Sequence, residues 1–175
     1  MTSASIANAF PALLKNFAGA VEANDGARLA RFFTPDGVYE DGFFGVHRGR
    51  AAIAGMLQRF HDTGSDYVWE FFDPVCNGAI GYARFRFSYA SRLPECAGRP
   101  VLFEGVSCFQ FQAELISRYS EVFDTGVALV QLGFAAERIR RIVEKTAAAQ
   151  SRTPEARPHL DRFSSGLSVG RKPAR

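Results

Sequence analysis

Long apolar runs are missing from this chain. Nothing approaches the about 18 consecutive apolar residues that a membrane-crossing helix requires, and the N-terminus has neither the basic start nor the apolar stretch of an export signal. The expectation is a cytoplasmic protein with no membrane partner. Cysteine is scarce: Cys76, Cys96 and Cys108 are odd in number and widely spaced, which excludes a disulfide framework and close-paired metal ligands and leaves buried thiols as the reading. Three scattered histidines, with no carboxylate at ligand spacing, predict no metal site. No glycine-rich loop leads from a strand into a helix with phosphate-cradling spacing, and Gly42, Gly45 and Gly49 do not match one. A nucleophilic serine elbow is absent too. Chemistry without a cofactor, or binding alone, is what these absences leave.

Charge is present but unevenly placed. The formal net charge of the 175 residues is +3, yet residues 151–175 hold six Lys or Arg (Arg152, Arg157, Arg162, Arg171, Lys172, Arg175) against Glu155 and Asp161. The remainder carries 15 basic and 16 acidic groups, so the folded part is close to neutral and offers no electrostatic case for a nucleic-acid partner. The length suits one well-developed core, and 17 phenylalanines make that core greasy. Residues 1–148 are expected to form this domain. The Ser-, Pro-, Gly- and Arg-rich segment 149–175 is expected to be a disordered basic tail, too poor in apolar surface to repay ordering entropy.

The pattern along the chain is helical first and extended later. Phe10, Leu13, Leu14, Phe17 and Val21 recur at helical spacing, with Pro11 in the first turn and Asn24-Asp25-Gly26 as the stop. A second helix over 27–33 ends at the turn Thr34-Pro35-Asp36-Gly37, and a brief strand covers 38–41. A third helix, 50–61, presents Ile53, Met56, Leu57 and Phe60. Long alternating segments follow at 67–75, 79–91, 101–112 and 115–123, the first two joined by the hairpin signal Cys76-Asn77-Gly78. In the last of them Leu115, Ser117, Tyr119, Glu121 and Phe123 share one face. A short helical segment capped by Asp124 and a final helix over 135–150 close the domain.

This order predicts an α+β fold, in which a cone-shaped, curved, antiparallel (mixed) sheet wraps around the N-terminal helices and opens in an apolar mouth. The segment VYEDGFFGVHRGRAAI after two helices, and ISRYSEVFDTGVAL near the end, resemble the SnoaL-like branch of the nuclear transport factor 2-like superfamily. That superfamily also contains limonene epoxide hydrolase and ketosteroid isomerase. The resemblance covers roughly residues 6–145 and implies working groups inside the cone. Matched position by position, the pair that holds the water in the hydrolase corresponds to Tyr39 and Asp41. An aromatic and an acid on the last long strand correspond to Tyr119 and Glu121, and an arginine and an acid between them correspond to Arg86 and Ser88, with Arg84 on the same face. Asp41 replaces an amide and Ser88 an acid, so the hydrolase network is incomplete.

Independently of the family, two carboxylates and a guanidinium converging in an apolar hollow would have their pKa values driven apart into an acid and a base, as proton transfer at neutral pH requires. The expected roles are Glu121 as base, Asp41 as acid or water-holder, Arg86 as orienter, and Tyr39 and Tyr119 as hydrogen-bonding walls, with His47 at the mouth. The bland alternatives are a structural Arg86–Glu121 pair and arginines that face solvent, since strand parity does not identify the concave face. Two functions follow. The first is cofactor-independent acid–base catalysis (isomerase, cyclase, dehydratase or hydrolase) on a small hydrophobic oxygenated molecule; the second is a non-catalytic ligand-binding or dimerisation module. Aromatic residues on both strand faces predict a homodimer formed through the outer sheet face.

Overall fold

The computed structural model describes residues 4–164. The chain divides into two compact units, residues 1–133 and 134–175. The first opens with helix α1 (Ala4–Glu22), which starts earlier than the sequence pattern suggests, so that Pro11 lies inside it rather than in its first turn. Proline there removes one i→i−4 bond. Helix α2 (Gly26–Arg31) is capped by Asp25, whose Oδ1 accepts from the Arg28 amide at 2.8 Å.

Strand β1 (Phe33–Asp41) begins before the expected turn. The Thr34–Gly37 signal shows up instead as a register irregularity between Phe33 and Val38, because a bulge absorbs turn-forming residues without ending a strand. A short strand β2 (Gly45–Arg48), not foreseen in the glycine-broken segment, pairs antiparallel with β1. Helix α3 (Arg50–Thr63) follows, burying Ile53, Met56 and Leu57. Then come β3 (Gly64–Cys76), β4 (Ile80–Ser91), β5 (Pro100–Gln112) and β6 (Leu115–Phe123), close to the expected spans. Helix α4 (Thr125–Gln131) is N-capped by Asp124, as its sequence predicts.

The six strands form one mixed sheet in the order β2-β1-β6-β5-β4-β3. Its long strands are antiparallel, and β1 runs parallel to β6. The last strand in sequence therefore lies between the first long strand and β5. The core sits between α1 and the concave face, centred on the fully buried Phe17. That ring packs against Tyr39, Trp69, Phe109 and Tyr119 at centroid distances of 6.2, 5.6, 5.5 and 5.1 Å. The Glu22 carboxylate accepts from the Trp69 amide at 2.8 Å and ties the end of α1 to β3. Among the thiols only part of the expectation holds: Cys96 is buried, whereas Cys76 and Cys108 are half-buried.

In the second unit, α5 (Ala136–Gln150) carries ion pairs from Arg140 to Glu137 and Glu144 and buries no residue. The structure differs from the expected disordered segment over 154–164. Thr153 caps a single 3-10 turn (Pro154–Ala156) through a hydroxyl that accepts from the Ala156 amide, and α6 (Arg157–Ser164) continues from it. Local capping chemistry of this kind is invisible to composition. A hollow of about 320 Å³ lies among Ala147, Gln150, Ser151, Ala156, His159 and Leu160. The rest of the expected tail, with Arg171, Lys172 and Arg175, lies outside the described residues. No described helix is long and apolar enough to cross a membrane.

Candidate active site

Parity along β6 decides which side chains enter the concave face. Ser107 on β5 pairs with Glu121, and Phe109 with Tyr119; a register shift next to Gln110 then turns Ile116 inward as well, breaking the simple alternation expected for this strand. On the other side of β6, the parallel register sets Tyr39 against Tyr119, so Tyr39 and Asp41 of β1 stand beside Tyr119 and Glu121. The four residues meet although nearly eighty positions separate the pairs in sequence.

Their hydroxyls and carboxylates form a directed network. Tyr119 donates to Glu121 Oε2 at 2.7 Å. Since a tyrosine has one proton to give, the 2.9 Å contact between Ser107 Oγ and Tyr119 Oη has Ser107 as donor. The Tyr39 ring lies beside Tyr119, with centroids 4.5 Å apart. Ser107 and Tyr119 are fully buried, Tyr39 and Asp41 nearly so, and Glu121 as a whole residue is half-buried. Ser107 was not singled out from sequence; its place opposite an acidic residue in the β5–β6 register is the signal that would have found it.

Asp41 has a second task. Its Oδ1 accepts from the Phe43 and Phe44 amides, both at 2.7 Å, and so closes the β1–β2 turn in the manner of an Asx-turn. The Gly42 amide in the same turn reaches Glu121 Oε1 at 3.4 Å. Glycine is required at this point: a Cβ on residue 42 would stand 2.5 Å from the Phe123 ring. His47 of β2 lies opposite Tyr39. Its Nε2 is 3.1 Å from the Phe44 carbonyl and its Nδ1 3.4 Å from the Arg59 guanidinium.

Burial and mutual repulsion hold protons in this cluster. Burial pushes Glu121 from 4.5 up to about 8, the neighbouring Asp41 charge adds to this, and the hydrogen bonds from Tyr119 and Gly42 oppose it. Burial also raises Asp41, against the pull of the Phe44 and Phe43 amides and of His47. Tyr39 and Tyr119 are raised by burial first and by the Glu121 charge second.

Arg86, Arg84 and Ser88 do not join them. On β4 the buried side chains are Ala83, Phe85 and Phe87, which puts the intervening residues on the convex face. Arg86 pairs there with Glu104 at 2.6 Å, and Arg84 with Asp73 at 3.3 Å; about half of each arginine side chain is exposed. Arg86 therefore pairs with neither carboxylate of the interior. The physical reason is that the aromatic residues of β4 have more to gain from burial than charged ones do, so Phe85 and Phe87 claim the concave side.

A known family matches this chain. The sequence profile of the SnoaL-like domain fits residues 14–119. This chain belongs to the SnoaL-like family. Solved structures of the same fold include a protein with a ketosteroid isomerase-like fold from Catenulispora acidiphila, in complex with trimethylamine, at 19% identity and a TM-score of 0.66, covering 73% of this chain and 96% of that one. A candidate polyketide cyclase from Xanthomonas campestris matches at 20% identity and a TM-score of 0.61, covering 73% and 98%. An LEH-like epoxide hydrolase of M. tuberculosis matches at 19% identity and 0.55, covering 67% and 84%. No curated protein matches the sequence. At these identities the neighbours establish the SnoaL-like α+β fold, and the reaction has to be read from the side chains of this chain.

Proposed function

We propose that this SnoaL-like protein is a cofactor-independent acid–base catalyst acting on a small, neutral, hydrophobic molecule that carries oxygen, in the manner of an isomerase, cyclase, dehydratase or hydrolase. The observation that carries the reading is the 2.7 Å hydrogen bond from Tyr119 to a carboxyl pushed up to about 8 among aromatic side chains. A group poised near the working pH exchanges protons most efficiently. With its pKa pushed up to about 8, Glu121 keeps its proton at neutral pH. Glu121 is then the acid of the resting site. The two backbone amides on Asp41 pull against the rise that burial causes there, which makes Asp41 the proton acceptor of the pair, a reversal of the roles expected from sequence. With two carboxyls in the interior, the site disfavours anionic substrates.

The test is Glu121→Gln, an isostere that accepts the Tyr119 hydrogen bond but has no proton of this pKa. A thermal-shift screen with steroid-, terpene- and polyketide-like compounds supplies candidate ligands. Turnover of the compound that binds should vanish in the variant while its circular dichroism stays native. Retained turnover rules the reading out.

The outward position of Arg86 favours a second reading, since among the described residues no guanidinium pairs with the two acids: the interior binds a hydrophobic ligand without converting it. Self-association fits either reading. Val68, Tyr82, Leu102, Val106 and Val122 of β3 to β6 are all exposed on the convex face, an apolar surface that a second copy of the chain would cover.

A further inference from the structure

The chain separates its charges. Residues 1–133 hold eleven Lys or Arg against fourteen Asp or Glu, whereas residues 134–164 hold seven against four. The basic segment is also amphipathic. At about 100° per residue along α5, Ile139, Ile142, Val143 and Thr146 form one stripe. Cations border it, Arg138 and Lys145 on one side and Arg140 on the other, while Glu137 and Glu144 lie across the helix and are both paired with Arg140. The acids are thus partly neutralised and turned away from the stripe. None of the apolar side chains of α5 is buried, and Val143 is 44% exposed. Helix α6 adds Leu160 and Phe163, 45% and 58% exposed, with the Arg162 guanidinium 4.6 Å from the centre of the Phe163 ring. The hollow between the two helices includes Ala147, on the stripe side of α5, and Leu160, so apolar surface continues from one helix to the next.

We propose that α5 and α6 form a docking surface for an anionic phospholipid bilayer, lying in its interface with Val143, Leu160 and Phe163 among the acyl chains and Lys145 and Arg162 at the phosphates. Cations at the borders of an apolar stripe suit this task, because their aliphatic stems follow the apolar surface while the charged heads reach out to the headgroups. A polyanion such as nucleic acid would engage the cations and leave Val143, Leu160 and Phe163 in water. A bilayer with anionic headgroups over a hydrocarbon interior matches both halves of the pattern. The expectation of no membrane partner rested on the missing long apolar run, which a crossing helix needs and an interfacial one does not. The inference stands apart from the acid–base reading, since it uses no residue of the acidic interior.

The full chain is mixed with vesicles of phosphatidylcholine alone, or with an equal share of phosphatidylglycerol, and binding is read by co-flotation. The anionic vesicles should bind about tenfold more tightly or better, an advantage that shrinks as salt is raised from about 50 mM to about 500 mM. Phe163→Trp should shift its emission to the blue on the anionic vesicles, over the constant background of the buried Trp69, the single natural tryptophan. Leu160→Ser combined with Phe163→Ser should weaken binding about tenfold. Lys145→Gln combined with Arg162→Gln should weaken it about fivefold for each charge removed. All four side chains are exposed, so melting temperatures should stay where they are; if the serine variant melts earlier, the emission of Phe163→Trp decides. Absence of binding, equal affinity for the two kinds of vesicle, or an emission that does not move overturns the proposal. So does a charge variant that loses binding beside a serine variant that keeps it, which is the signature of bare attraction to a polyanion such as nucleic acid.

Discussion

Tyr39 and Tyr119 face each other across the parallel β1–β6 pair with ring centroids 4.5 Å apart. The pairing fixes the two strands in register at the level where their acids emerge, so that Asp41 and Glu121 feel each other's charge.

Removing the Glu121 carboxyl should stabilise the protein at alkaline pH. Its folded pKa of about 8 exceeds the ordinary value of 4.5, so between these two values the unfolded chain has lost a proton that the folded one keeps. Stability therefore falls as pH rises through that window and levels off above it. The raised Asp41 acts in the same direction. Melting curves of Glu121→Gln and the natural protein should nearly coincide at pH 4 and diverge toward pH 8, the variant being the more stable. A constant gap at every pH would contradict the burial of this group.

Asp41→Asn should preserve the turn and shift the titration. The amide oxygen still accepts from Phe43 and Phe44, but the charge that helps to raise Glu121 is gone. The Glu121 midpoint, followed by carbon-13 resonances of its carboxyl, should move down from about 8. A midpoint left in place would mean that burial alone sets it.

Phe17→Ala empties the centre of the aromatic cluster. The loss of a fully buried ring should cost about 3–5 kcal/mol in urea denaturation. A cost below 1 kcal/mol would show that the rings around it collapse into the space.

Val122→Glu places a charge on the most exposed hydrophobic residue of the convex face, at 78% exposure. Sedimentation should show the natural chain as a dimer and the variant as a monomer with an unchanged fold. A natural chain that already sediments as a monomer refutes self-association through this surface.

Arg86→Ala should leave both turnover and melting temperature where they are, because its Glu104 partner is as exposed as it is and surface ion pairs contribute little. A loss of turnover would return the guanidinium to the site.

The fold was legible because its signals are periodic. The alternation over 79–91 and the helical spacing from Phe10 to Val21 survive in the structure as β4 and α1, and β6 keeps its expected span and, from Arg118 onward, its alternation. Asp41, Glu121, Tyr39 and Tyr119 were found as a group because a parity of two sets each pair on one face. Parity could not say which face of β4 was concave: arginines and phenylalanines alternate there equally well, and the choice depends on what α1 and the neighbouring strands offer each side. Nor does strand spacing reveal a bulge, which is why β1 starts before its expected turn. Ser107 escaped notice because a serine between Val106 and Cys108 has no signal of its own; its role comes from a partner on the next strand.

The insertion of β6 between β1 and β5 has a consequence for biogenesis. A nascent polypeptide leaving the ribosome exposes its N-terminal hairpin long before the strand that must slot in beside it has been translated. Until then the early acid has no counterpart and the hairpin's inner edge lacks a neighbour. Any catalytic competence is therefore acquired late and in one step, and a prematurely terminated product lacking β6 would have no partly working site.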